Sequence, residues 1–255
     1  MIQGKDRIFN VLTNSAPPVN PMKPEFIFFD IDNTLLDHSS AEASAQREIY
    51  SQYTELQQVT VDEWLDAYKE INHGLWLQYQ NGAIGREQLQ RTRFERTMAS
   101  LGILSERSDE IGKRYMEVYR EYWCWIDGAE EALEQISGRF PVGFITNGFL
   151  ETQHKKIEQM ELTRFSNLFI ISEEIGVMKP HHKVFDTAAE KAGKPHKTIL
   201  YVGDSYTSDI IGGKNAGWKT AWFTALTEDR VENSTADFCF EEYPVLVNFL
   251  NGVKE

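Results

Sequence analysis

Five short apolar runs punctuate the chain: EFIFFD at 25–30, FPVGFIT at 140–146, NLFIIS at 167–172, TILYVG at 198–203 and KTAWFT at 219–224. Each is rich in β-branched and aromatic residues. Their apolarity is continuous rather than alternating, the pattern of strands covered on both faces in a parallel sheet. Helix-like segments fill the intervals at 149–162, 181–192 and 207–216. Strand, helix and strand at this spacing predict right-handed crossovers and an α/β fold, a Rossmann-like doubly wound parallel sheet.

Between residues 38 and 125 the strand signal stops and a helical period replaces it. Val61, Trp64, Leu65, Tyr68 and Leu75 fall near one helical face, as do Ile111, Tyr115, Val118, Tyr119 and Tyr122. The pattern predicts an inserted helical cap over 38–125, with the α/β core formed by 23–37 and 126–255. An insertion directly after the first strand stands where open α/β sheets bind ligands, so it is placed to act as a lid. The stretch NHGLWLQYQNGAIG, 72–85, reads as its loop, with Asn81-Gly82 as a turn signal. Most aromatics at helical spacing are packing residues; Trp76 and Tyr79, in that loop, are the candidates for stacking on a substrate ring. Residues 1–22 end in a Pro/Asn-rich stretch and read as an extension outside the fold.

A formal net charge of −13 opposes broad affinity for nucleic acid polymers or anionic membranes, so any anionic ligand must be held locally, by a metal or a few placed cations. No apolar run approaches the roughly 20 residues that span a bilayer, and residues 1–22 lack an uninterrupted apolar segment. Cys124 and Cys239 lie far apart and outside any zinc or redox spacing, which reads as two reduced thiols. The expectation is a soluble cytoplasmic protein.

Four polar stations stand at the ends of the predicted strands. In DIDNT, Asp30 and Asp32 lie one residue apart, on the same side of an extended chain. Converging carboxylates must be neutralised, and Mg²⁺ does this well; a strand-capping turn of Asp, Asn and Thr is the alternative. In FITNG, the Thr146 hydroxyl, the Asn147 carboxamide and the Gly148 backbone form either an anion site at a helix start or an ordinary N-cap. In MKP, Lys179 precedes Pro180 and is either a fixed cation or a surface lysine. In YVGDSYTSD, Asp204 reaches the edge that carries Asp30, with Asp209 in support, unless the segment is a plain Gly-Asp turn and cap. Separately each bland reading stands. Jointly, acids, a hydroxyl and a lysine at one sheet edge describe phosphoryl transfer, with Mg²⁺ and lysine neutralising charge while a carboxylate attacks phosphorus.

The set DIDNT, ITNG, MKP and GDSYTSD, in that order and with a helical insert after the first, resembles the haloacid dehalogenase superfamily of phosphohydrolases over residues 25 to about 250. The resemblance implies Asp30 as nucleophile, forming an aspartyl-phosphate, and Asp32 as general acid and then base. It implies Thr146, Asn147, Gly148 and Lys179 at the phosphate, and Mg²⁺ held by Asp30, Asp204 and the Asp32 carbonyl, with Asp209 behind them. The second aspartate separates phosphatases from the dehalogenases of the same superfamily. LWLQYQNGAI, RFE, ITNGF, ISEEIGVMKP and VGDSYTSDIIGGKNAG further resemble its pyrimidine 5′-nucleotidases, which implies a nucleoside monophosphate such as UMP, dUMP or dTMP. A sugar phosphate, a sialic-acid 9-phosphate, phosphoglycolate or FMN is the alternative substrate. A phosphomutase or a non-catalytic binding module are the remaining readings.

Overall fold

The computed structural model of the protein describes residues 23–104, 106–227, 231 and 233–252. The expectation for residues 1–22 lies outside them. The chain enters through β1 (Phe26–Phe29) and passes directly into four helices, α1 (His38–Gln52), α2 (Val61–Gln80), α3 (Arg86–Ser100) and α4 (Ser108–Glu121). It then continues through α5 (Ala129–Ser137), β2 (Val142–Thr146), α6 (Leu150–Gln159), β3 (Phe169–Ile171), α7 (Ser172–Ile175) and α8 (His182–Ala192). β4 (Ile199–Gly203) leads into a π-helical turn, Tyr206–Ile211, and α9 (Gly212–Asn215). β5 (Lys219–Phe223), β6 (Phe238–Phe240) and α10 (Tyr243–Asn251) follow.

Among the described residues, six strands form one sheet in the order β3-β2-β1-β4-β5-β6, and every neighbouring pair is parallel. Successive side chains of a strand point to opposite faces, so Ile27 and Phe29 join one apolar cluster while Phe26 and Phe28 join another across the sheet. Burial on both faces is why these strands read as unbroken apolar runs. From β1 the chain builds outward to β3, then returns to lay β4 on the other side of β1. That reversal opens a crevice beyond the carboxyl ends of β1, β2 and β4.

The four inserted helices enclose a core of their own, in which Trp64, Tyr68, Phe94, Ile111 and Tyr115 are buried together. α2 starts at a capping box, Thr60 with Glu63, which satisfies donors its first turn would leave bare. The two chain crossings between cap and core run side by side, with Ile126 N donating to Leu35 O at 2.9 Å and Asp37 N to Cys124 O at 3.0 Å. One expectation is corrected here. Residues 72–80 are not a loop but the last turns of α2, which ends at Gln80, and the turn begins only at Asn81. Leu75, Trp76 and Tyr79 are spaced for a helix, and Gly74 inside it does not interrupt the period. β6, three residues long, had no counterpart among the predicted strands.

Candidate active site

A cleft of about 620 Å³ lies between cap and core, and each of Asp30, Asp32, Thr146, Asn147, Gly148, Lys179, Asp204 and Asp209 lines it. Asp30 follows β1, Thr146 ends β2 and Asp204 follows β4, so the strand reversal gathers them.

Lys179 is the hub of the core side. Its ammonium is buried and donates to Asp30 Oδ1 at 2.5 Å, to Asp209 Oδ1 at 2.8 Å and to the Tyr201 hydroxyl at 2.7 Å. Its loop is held by Asn147: Lys179 N donates to Asn147 Oδ1 at 2.8 Å, and Asn147 Nδ2 donates to Lys179 O at 3.0 Å. Ser172 Oγ donates to the same carboxamide oxygen at 2.7 Å. The Asn147 side chain is therefore committed to positioning lysine. Burial alone would pull the Lys179 ammonium down, but Asp209 and Asp30 hold it well above its usual value.

The acids respond oppositely. Burial pushes the Asp30 carboxyl up to about 7, with Lys179 opposing and Asp209 adding to the rise. Desolvation, then the charges of Asp30 and Asp209, push Asp204 well above the usual carboxylate range. Carboxylate oxygens of Asp30, Asp204 and Asp209 lie within 4.8 Å of one another. Three acids against one ammonium leave negative charge uncompensated, and the donors are all hard oxygens. That set fits a divalent cation such as Mg²⁺. Asp209 also accepts from Ser205 N at 3.0 Å, so both its oxygens have protein partners, whereas among the described residues the Asp204 carboxylate accepts only from Thr34 Oγ1 at 3.2 Å.

Asp32 points elsewhere. One oxygen accepts from the Lys156 ammonium and the other from Gln153 Nε2 at 2.8 Å, both on α6. Burial would raise its carboxyl, but Lys156, with His38 and Gln153, holds it below the usual value. Lys156 is itself buried and donates to the cap's Tyr119 hydroxyl at 2.8 Å. The same hydroxyl lies 2.6 Å from His38 Nδ1. None of Lys156, Gln153, Tyr119 or His38 belongs to a motif, and Tyr201, at the head of YVGDSYTSD, was not singled out. The available signal was polar residues at core positions: Gln153, Lys156 and Ile157 are the buried face of α6.

The candidate stacking residues are packed together. Trp76 stacks on Phe149 with ring centroids 4.7 Å apart, and Tyr79 lies 5.6 Å from the same ring. Trp76 lines the cleft and Tyr79 is not among its lining residues. Around this cluster Arg86 of α3 reaches Glu151 at 2.8 Å and Glu173 at 3.3 Å, and Glu173 also accepts from Leu150 N at 2.6 Å.

A family model for haloacid dehalogenase-like hydrolases matches residues 25–217. The chain belongs to that family. Similar proteins include the pyrimidine 5′-nucleotidase YjjG of Escherichia coli, 37% identical over 212 residues, 83% of this chain and 91% of that one. The pyrimidine 5′-nucleotidase PynA of Streptococcus pneumoniae is 29% identical over 78% of this chain and 83% of its own. The magnesium-bound crystal structure of YfnB, a HAD-hydrolase of Bacillus subtilis, superposes with a TM-score of 0.77 at 28% identity, covering 90% of this chain and 99% of that one. The family membership and the α/β core with a helical cap agree with the sequence reading. Among the described residues, no helix is long and apolar enough to cross a membrane.

Proposed function

We propose that the protein is a Mg²⁺-dependent phosphomonoester hydrolase that releases phosphate from pyrimidine nucleoside monophosphates bound between cap and core. The observation that carries the chemistry is Asp30 at the strand reversal, 2.5 Å from a buried lysine and clustered with Asp204 and Asp209, with a second aspartate two residues on that is held apart by α6. The nucleotidase names of two similar proteins support the substrate class.

In this reading a carboxylate oxygen of Asp30 attacks phosphorus while the bond from phosphorus to the nucleoside oxygen breaks, giving an aspartyl-phosphate. Asp32 supplies the proton to the departing oxygen and then takes one from the water that hydrolyses the acyl phosphate. General acid and base help of this kind is typically worth about 10² to 10⁴ in rate. The pair with Lys156 keeps Asp32 ionised, the form the second step needs; an arriving phosphate dianion raises its proton affinity for the first. Thr146 and Lys179 hold the phosphate oxygens, and Asn147 holds Lys179. Mg²⁺, bound by Asp30, Asp204 and the Asp32 main chain, would neutralise phosphate charge.

The test is phosphate release with Mg²⁺ from UMP, dUMP and dTMP beside sugar phosphates, phosphoglycolate and FMN. Pyrimidine monophosphates should lead, and Asp30→Asn should abolish turnover. Undiminished turnover in that variant would refute the mechanism, and faster release from another class would refute the substrate.

A further inference from the structure

The cap wall of the cleft carries two buried polar groups that the phosphate chemistry does not use. Asn72 of α2 is 5% exposed and Arg93 of α3 is 4% exposed, and both line the cleft. Asn72 Nδ2 donates to Glu42 Oε1 at 3.0 Å. Glu42 as a carboxylate only accepts, so this bond fixes which end of the carboxamide faces it. The carboxamide oxygen is left without a hydrogen-bond partner. The Arg93 guanidinium lies over the Tyr115 ring, 4.9 Å from its centroid, and Nη2 meets the Met116 thioether at 3.0 Å. Its Nε has no partner, and among the described residues the group makes no ion pair. A buried acceptor and a buried cation left this way are costly unless a ligand completes them.

We propose that Asn72 and Arg93 read the ring edge of the substrate, selecting a pyrimidine that presents an N–H beside a carbonyl, as uracil and thymine do, over cytosine. The inference rests on the nucleotidase reading and names the residues that set its base preference. The Asn72 oxygen accepts from the ring N3–H, and an Arg93 N–H donates to a flanking carbonyl oxygen. Cytosine offers a lone pair at N3 and an amino group in place of O4, so acceptor meets acceptor and donor meets donor. A second phosphate or carboxylate is a poorer match for Arg93, because three cap carboxylates, Glu42, Asp66 and Glu70, line the cleft against the cap cations Lys69 and Arg93. The neutral ring edge satisfies both groups without adding charge. Trp76, one face covered by Phe149, gives the ring an apolar wall.

The experiment compares kcat/KM of the unaltered protein for UMP, CMP, 3-methyluridine 5′-monophosphate and ribose 5-phosphate, then the UMP to CMP ratio in Asn72→Leu and Arg93→Met. UMP should exceed both CMP and the 3-methyl analogue, which lacks the N3–H, by at least about tenfold, since unpaired buried polar groups reject the wrong ring. The UMP to CMP ratio should fall toward one in each variant. Equal turnover of UMP, CMP and the 3-methyl analogue overturns the proposal. So does a ratio preserved in variants whose two rates fall together, which would make the residues structural only. Fast nucleotide turnover without base preference sinks this inference alone, whereas ribose 5-phosphate outpacing every nucleotide sinks the nucleotidase reading with it. If a variant fails to fold, the 3-methyl comparison on the unaltered protein decides.

Discussion

Replacing Lys156 by methionine keeps an unbranched side chain, one atom shorter, and removes its charge together with the hydrogen bonds it donates. In the protein that ammonium holds Asp32 and the Tyr119 hydroxyl, and the side chains of Lys156 and Asp32 are 2% and 24% exposed. Removing one partner of a fully buried pair costs about 3 to 5 kcal/mol, and a lost charge-assisted hydrogen bond about 1.5 to 3. Because Asp32 keeps some contact with water, we expect the loss to be about 2 to 3 kcal/mol. At about 2 to 4 °C per kcal/mol for a chain of this size, the melting temperature should fall by about 4 to 12 °C at neutral pH. The pH dependence has a definite sign. In the unaltered protein the Asp32 carboxyl sits below its ordinary 3.8, so its contribution is complete above that value and lost as pH falls through the lower, folded one. In the variant burial is opposed only by His38 and Gln153, so the carboxyl moves up from its depressed position and the gap in melting temperature between the two proteins should widen as pH rises from the acid side toward neutrality. With Asp32 as the proposed proton carrier, losing the group that holds it should cost about 10- to 100-fold in kcat with KM little changed. Lys156→Arg should recover part of both losses. Scanning calorimetry and steady-state phosphate release check these outcomes. A Lys156→Met protein with unaltered melting and kcat within about threefold would refute the role given to Lys156.

Lys179→Met should be more damaging, because it leaves Asp30, Asp204 and Asp209 facing one another: about 3 to 5 kcal/mol of stability, and phosphate release at background. A melting temperature within about 2 °C of the unaltered protein would contradict it. The Asp30 carboxyl, raised to about 7, contributes stability below its ordinary 3.8 that is lost as pH rises through the folded value. A cation binds the ionised form, so the rise in melting temperature on adding Mg²⁺ should grow from about pH 5.5 to about pH 7.5; a constant rise would refute the link. Gly203→Ala would place a Cβ 2.4 Å from Asp209 Oδ2. Displacing Asp209 disturbs Lys179, and kcat should fall about tenfold or more, an effect absent if Asp209 has no bearing on the site.

The parts of this architecture that were legible from the chain are those with a local signature. Buried parallel strands are apolar throughout, which exposed β1, β2 and β4, and the polar residues just beyond them stood out against that background. β6 escaped because FCF is too short for a period and follows a polar stretch. The end of α2 escaped because Asn72-His73-Gly74 looks like a break, while the packing of Leu75, Trp76 and Tyr79 overrides the propensity of a single glycine. Gly148 read as exposed backbone, yet a Cβ there would fall 1.9 Å from Gln153 Nε2, so its absence makes room for the side chain that holds Asp32. Lys156 to Asp32 spans 124 positions and Lys156 to Tyr119 spans 37. Contacts at such separations leave no trace in spacing, and only an unexpected polar residue on a buried helix face hints at them.

The two aspartates of DIDNT, separated by a single residue, are mounted on different frames. Asp30 is fixed to the sheet by Lys179, itself tied to Tyr201 and Asp209. Asp32 is fixed to α6, a ten-residue rod about 15 Å long, whose first residue is pinned by Glu173 to the cap's Arg86 and whose Lys156 touches the cap's Tyr119. A shift of the cap would pull on the bond from Lys156 to Tyr119 and leave the Lys179 frame alone; in the proposed mechanism it reaches the support of the proton carrier and not that of the attacking carboxylate. Under that mechanism the cleft would work as a register mark: the two halves of the reaction line up when the cap is seated, and opening it would leave the nucleophile ready and the proton transfer out of gear.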